Sequence, residues 1–174
     1  MSLPTFVNHN QVPDKSIMDI FGRQTYLGNS FIVGIPTNNI GSTSEVPYAL
    51  VINPSGSGLS MFNVLRRISI IVTGSAIATF RFYATPTVTA NGTPLTPGNL
   101  RINAASKASV MKMYSLPTVS NNGTFIAEIG TTSSGNPYDS DVLTILDPGV
   151  TLLVTCQASS GTAPVGFETV WYEM

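Results

Sequence analysis

Few side chains in this sequence have the type and spacing that covalent chemistry requires. The sole histidine, His9, lies in an NHN run near the N-terminus, whereas most nucleophilic triads need a histidine base beside a hydroxyl or thiol. With no motif around it, His9 reads as a surface residue. The sole cysteine, Cys156, shares one face of TLLVTCQAS with Leu152 and Val154, which describes a small buried hydrophobe rather than an activated thiol. One cysteine also excludes an intrachain disulfide framework and a multi-cysteine metal site. Asp139 and Asp141 in NPYDSDVL fall on one side of an extended chain and, with Asn136, could offer oxygens to calcium. They lack the D-x-D-x-D-G pattern and its distant glutamate, so turn acids leading into VLTIL describe them better. The glycine-rich NPSGSG at 53–58 lacks the GK[ST] ending of a phosphate cradle and reads as a hairpin connection. Tyr83, Tyr114, Tyr138, Trp171 and Tyr172 could stack on a sugar, although aromatics scattered through a β protein more often serve the core and cross-strand pairs. The residues therefore predict no enzyme: no catalytic group, no metal site and no cofactor.

Charge is the informative part of the composition. Only 10% of the 174 residues are charged and the net charge is −1, while Ser, Thr and Asn number 52. Ordinary domains carry about 25% charged residues. A near-neutral, apolar-rich surface promotes association, which points to an assembly component. The basic footprint of a nucleic-acid binder is absent, and Arg66-Arg67 is the only adjacent basic pair. No apolar run approaches the roughly 20 residues that a helix needs to span a membrane, and no secretory signal is recognisable at the N-terminus.

Two stretches nearly repeat. YATPTVTANGTPL from Tyr83 and YSLPTVSNNGTFI from Tyr114 agree at seven of thirteen positions, 31 residues apart. Pro86 and Pro117 cannot donate to a strand ladder, and Asn91-Gly92 and Asn122-Gly123 are couples that enter φ > 0 turns cheaply. Each copy reads as a strand ending at tyrosine, an extended bridge, a reversal and a new strand. Two copies are too few for a solenoid and describe two equivalent corners of one β architecture. The asparagines also begin N-x-T patterns, but read as turn residues.

These corners must be held by strands, and from about residue 45 onward the chain is a succession of them: VPYALVIN, VLRRISIIVT, IATFRFY from Ile77 to Tyr83, VLTIL, TLLVTCQAS and a long closing run. In TFRFY, Phe80 and Phe82 face one way and Thr79, Arg81 and Tyr83 the other; in the closing run Val165, Phe167, Thr169 and Trp171 share a face. Eight or more short strands separated by Gly, Pro and Asn turns predict an all-β, antiparallel, jelly-roll-like β-sandwich over 45–174. Residues 1–44 read as an irregular N-terminal arm with one helical turn after Ser16. Its apolar residues Phe6, Ile17, Ile20, Phe21, Tyr26 and Phe31 either pack along the sandwich or dock on a partner.

The run NPSGSG, RRISI, FRFYATPTVTANGTPLTPGNLRI, YSLPTVSNNGT, LDPGVTLLVTCQAS and the closing VWYEM resembles a set of small β-sandwich virion proteins of tailed bacteriophages over residues 53–174. The resemblance implies a virion structural protein of the head decoration, or cement, type. Its expected partners are the major capsid protein and two further copies of itself, as a homotrimer on the outer capsid surface, after synthesis in the bacterial host cytoplasm. Nucleic acid and membrane are not expected partners. The competing expectation is a receptor- or glycan-binding module of a tail fibre or spike, since jelly rolls serve lectins as readily as capsids.

Overall fold

A computed structural model describes residues 15–41, 44–67, 78–102, 107–130 and 143–174. The chain opens with helix α1 (Lys15–Tyr26), then strands β1 (Ser30–Gly41), β2 (Val46–Ile52), β3 (Met61–Arg67) and β4 (Ala78–Ala84). Five short strands follow: β5 (Thr87–Ala90), β6 (Thr93–Leu95), β7 (Gly98–Asn99), β8 (Lys112–Ser115) and β9 (Thr118–Asn121). The last four are β10 (Thr124–Gly130), β11 (Leu143–Leu146), β12 (Thr151–Ala158) and β13 (Thr162–Glu173). One sheet runs β11-β3-β13-β1-β7, the other β10-β4-β12-β2-β8-β6, and β5 pairs with β9 separately.

The strands β1–β4 and β10–β13 alternate between the two sheets except at the β4–β10 step, which is jelly-roll connectivity. The intervening segment, from Thr85 to Gly123, holds both repeat corners. It also adds β8 and β6 beside β2, and β7 beside β1. The expected all-β sandwich is therefore the fold, and VPYALVIN, ATFRFY, VLTIL and TLLVTCQAS supply β2, β4, β11 and β12.

Alternation places the core. Phe80 and Phe82, then Leu152, Val154, Cys156 and Ala158, meet Ala163, Val165, Phe167 and Trp171 from the facing sheet, all buried. Phe80 lies 5.9 Å from Phe167 and 6.0 Å from Tyr48, joining the two layers through aromatic contact. Tyr48 adds a polar tie between sheets: its hydroxyl donates to the Val165 carbonyl at 2.6 Å. Buried Trp171 stacks on Phe31 at 5.8 Å and donates its indole N–H to Glu173 Oε1 at 3.1 Å. The same carboxylate accepts from Ser109 Oγ and the Val110 amide, so three neutral donors satisfy a side chain that is only 4% exposed.

Three expectations change. The domain boundary at 44/45 does not match the fold. Residues 30–41 form β1, an interior strand between β13 and β7, because Phe31, Val33, Ile35 and Ile40 supply one core face. The helical turn after Ser16 is a 12-residue helix in which Ser16 is internal. It lies over β1 and β13, with Phe21 edge-on to Tyr172 at 6.3 Å. NPSGSG is a crossover from β2 in one sheet to β3 in the other rather than a hairpin. Buried Asn53 anchors it, donating to the Leu59 and Leu146 carbonyls at 2.8 Å each.

Two outcomes follow from this packing. Deleting residues 1–44 removes a central strand and should abolish the cooperative thermal transition seen by circular dichroism; a truncated chain melting normally would show β1 to be dispensable. Stability should also fall in alkali. Burial pushes the Cys156 thiol from its usual 9.0 up to about 12 and pushes the Tyr48 phenol above its usual range. Both groups keep a proton when folded that the unfolded chain releases. Their contribution is whole below the unfolded pKa and declines as pH rises through the folded one, by up to about 1.4 kcal/mol per pH unit per group. Urea midpoints between pH 8 and 11 measure this, and Cys156→Ala should flatten part of the slope.

Candidate interaction surface

The repeat builds a two-fold arrangement across the six-stranded sheet. Leu153 pairs with Tyr83 where Leu50 pairs with Tyr114, and Leu152 with Ala84 where Ala49 pairs with Ser115. Beyond these, Thr124 pairs with Ala84 and Thr93 with Ser115. Each copy thus lends the strand after its turn to the strand before the other copy's turn, and the bridges pair with each other as β5–β9. Thr85 and Leu116, equivalent positions, both have φ of 52°, a costly conformation for non-glycine residues that turns the chain off the sheet. Their amides donate to the Thr151 and Tyr48 carbonyls.

Two glycines make the interlock possible. Gly92, at φ 87°, is so close to the second copy that a Cβ would stand 2.2 Å from the Ser115 carbonyl oxygen. Gly123, at φ 90°, meets the Ala84 carbonyl oxygen at the same 2.2 Å. Leu50 and Leu153, both 0% exposed, stand outside the main core cluster, on the opposite side of the sheet. Their burial requires a cover. The β5–β9 ribbon springs from Thr85 and Leu116, two residues beyond the tyrosines that pair with these leucines, and is in position to supply it.

Beside the ribbon lies a polar network. Arg81 Nε donates to Glu128 Oε2 at 2.6 Å, and its Nη1 reaches Glu45 Oε2 at 3.1 Å and Gln157 Oε1 at 3.2 Å. Glu45 Oε1 also accepts from buried Thr155 at 2.5 Å and from Asn122 at 3.3 Å. Glu128 and Glu45 together raise the Arg81 pKa. Tyr83 borders the network with Phe125 edge-on at 5.7 Å. This patch is mixed in sign and self-satisfied, so its contribution to stability is modest.

The predicted anchors do not form one surface. Phe31 is a core residue and Phe21 is half-buried on Tyr172, so neither is free for a partner; their aromatic rings gain more by filling the sandwich and the helix–sheet interface. Ile20 and Tyr26 are exposed, at 44% and 58%; Ile17 belongs to α1, and Phe6 lies outside the described residues. Tyr138, Asn136, Asp139 and Asp141 also lie outside them, while Trp171 is wholly buried and Tyr172 nearly so. Among the described residues no group of three or more His, Cys, Asp or Glu is placed to hold a metal ion.

Sequence reasoning missed the residues that are exposed instead. Phe125 and Ile126 on β10, Ile145 on β11, and Leu27 and Ile102 at the far side of the sandwich are all at least 44% accessible. The adjacent pair Phe125-Ile126 was a legible signal, because it breaks strand alternation, and the β10–β4 register does shift between Phe125 and Ala127. A shallow hollow of about 350 Å³ lies between Phe31, Leu59, Lys107, Val110, Glu173 and Met174, but its carboxylate is committed to Trp171, Ser109 and Val110.

Gly92→Ala and Gly123→Ala should each destabilise the chain by about 3 kcal/mol, combining positive φ with a forced backbone shift. Denaturant midpoints measure this, and unchanged midpoints would show that the corners separate at no cost. Comparison with protein-family models, curated proteins and solved structures finds no match for this chain.

Proposed function

We propose that this chain is a bacteriophage virion structural protein, a capsid decoration or cement protein that sits as a homotrimer on the outer head surface and binds the major capsid protein. The observation that carries this reading is the distribution of apolar side chains. A closed core and a corner interlock leave Phe125, Ile126, Ile145 and Ile102 standing in solvent on a chain with only 10% charged residues. Exposed apolar groups on a rigid, near-neutral body suit lasting contact with other subunits. The resemblance of residues 53–174 to phage virion β-sandwich proteins points the same way. Its mechanism is linkage: a protein that binds only the assembled shell stabilises that shell by mass action.

Attachment rests on apolar burial rather than long-range attraction, because eight basic and nine acidic residues are dispersed along the chain. Cosedimentation with undecorated capsids should therefore persist at about 0.5 M salt, where the Debye length is only a few ångströms. Absence of cosedimentation at low salt would refute the reading, and release by moderate salt would refute its apolar basis.

One observation favours the second reading, a glycan-binding module of a tail fibre or spike. Half-exposed Tyr83 stands beside Asn122, Glu45 and Arg81, combining an aromatic face with polar hydrogen-bonding groups. Cryo-electron microscopy of virions separates the two, since the density belongs on the head in the first case and on the tail in the second.

A further inference from the structure

The two repeat corners share a backbone course but not their hydrogen bonds. Each turns at Asn-Gly, with glycine φ of 87° at Gly92 and 90° at Gly123. In the second copy both members of the couple are held: Asn122 Nδ2 donates to Glu45 Oε1 at 3.3 Å, and the Gly123 amide donates to Asn121 Oδ1 at 2.7 Å. The first copy has Ala90 where the second has Asn121, so that side-chain acceptor is missing. Asn91 and Gly92 are both exposed, and among the described residues neither the Asn91 carboxamide nor the Gly92 amide has a hydrogen-bond partner.

The strands that leave the corners differ in the same sense. β6 has three residues, lies at the edge of its sheet and pairs with β8 alone, whereas β10 has seven and pairs with β4 from Thr124 to Gly130. A short exposed edge strand opens locally at lower free energy than a long one. Asn-Gly is also the couple most open to attack on the carboxamide by the following main-chain nitrogen, because glycine has no Cβ to hinder the approach. The free couple therefore sits at the corner that opens more easily.

We infer that Asn91 is a self-modification site, at which the folded chain deamidates while Asn122 is protected. The Gly92 amide nitrogen gives its proton to solvent base and bonds to Asn91 Cγ; the Cγ–Nδ2 bond breaks and the nitrogen leaves as ammonia, closing a succinimide. Water then opens the ring. Cleavage at Cγ gives aspartate at position 91, and cleavage at the original peptide carbonyl gives isoaspartate, so that one water enters and one ammonia leaves with no oxidation or reduction. Isoaspartate lengthens the main chain by one methylene directly before Gly92, where a Cβ would already stand 2.2 Å from the Ser115 carbonyl oxygen. The β6–β8 corner loosens with age and the β4–β10 corner does not.

The test is incubation of the full chain in mildly alkaline buffer below its thermal transition, followed by peptide mapping for the mass gain of exchanging NH2 for OH. Position 91 should convert at least about tenfold faster than position 122, the factor imposed where two neutral hydrogen bonds must first be released. In denaturant the two rates should converge, since both sites are Asn-Gly. Ala90→Asn supplies the missing acceptor and should slow position 91; Asn121→Ala removes its counterpart and should speed position 122. Both substitutions are at exposed positions, and Ala90→Asp and Asn121→Val replace either if it loses its thermal transition. Equal rates in the folded chain, a difference that persists in denaturant, no conversion at position 91, or rates indifferent to these variants would each overturn the assignment. Aged wild type should melt below fresh protein, and Asn91→Ser carried through the same incubation should not. Isoaspartate at position 91 with an unchanged melting temperature would overturn the loosening of the corner.

Discussion

The six-stranded sheet depends on the approach of two glycines to backbone they do not belong to. Gly92 touches the end of β8 and Gly123 the end of β4, each at a distance no side chain could occupy. That approach lets each repeat hand its outgoing strand to the other, so β10 extends from β4 and β6 from β8. It also returns the two bridges to each other as β5–β9. Backbone strain at Thr85 and Leu116 is tolerated because both residues are fixed from two sides, by an amide bond to the sheet and by the opposing glycine.

Once the corners are locked, the sandwich has the ends and flanks it needs. The inner faces are closed by aromatic contacts and by two polar ties, Tyr48 to Val165 and Glu173 to Trp171, Ser109 and Val110. A buried carboxylate used this way is satisfied by neutral donors and fixes the segment before β8 against β13. The six-stranded sheet also carries the Arg81 network, which ties β4 to β10 and to Glu45 before β2. At the edges of that sheet the near-symmetry of the repeats is broken: Pro94 stands in β6 where Phe125 stands in β10.

The N-terminal region shows how composition can mislead about attachment. Residues 1–44 look like an arm because prolines and glycines interrupt their apolar residues. Yet from Ser30 onward the alternation of Phe31, Val33 and Ile35 is a strand pattern, and it pairs with β13 over ten register positions. Gly34 and Pro36 fit a strand here because β1 shifts register between Ile35 and Asn38, where the ladder does not need a proline amide.

Several features were fixed by local sequence alone. Alternation determined which faces of β4 and β13 are buried, since a period of two leaves no other choice in a half-buried strand. Asn-Gly and the prolines determined where the repeat turns, and the single buried cysteine followed from its apolar neighbours. Tertiary structure decided what local sequence does not encode: which strands become neighbours, that the two repeats exchange strands rather than fold separately, and that Phe31 faces inward while Phe125 faces solvent. The Glu45–Arg81–Glu128 network joins residues 36 and 47 positions apart, and no local pattern anticipates it. These outcomes rest on long-range pairing and on the space left beside each backbone, which exist only when the whole chain has folded.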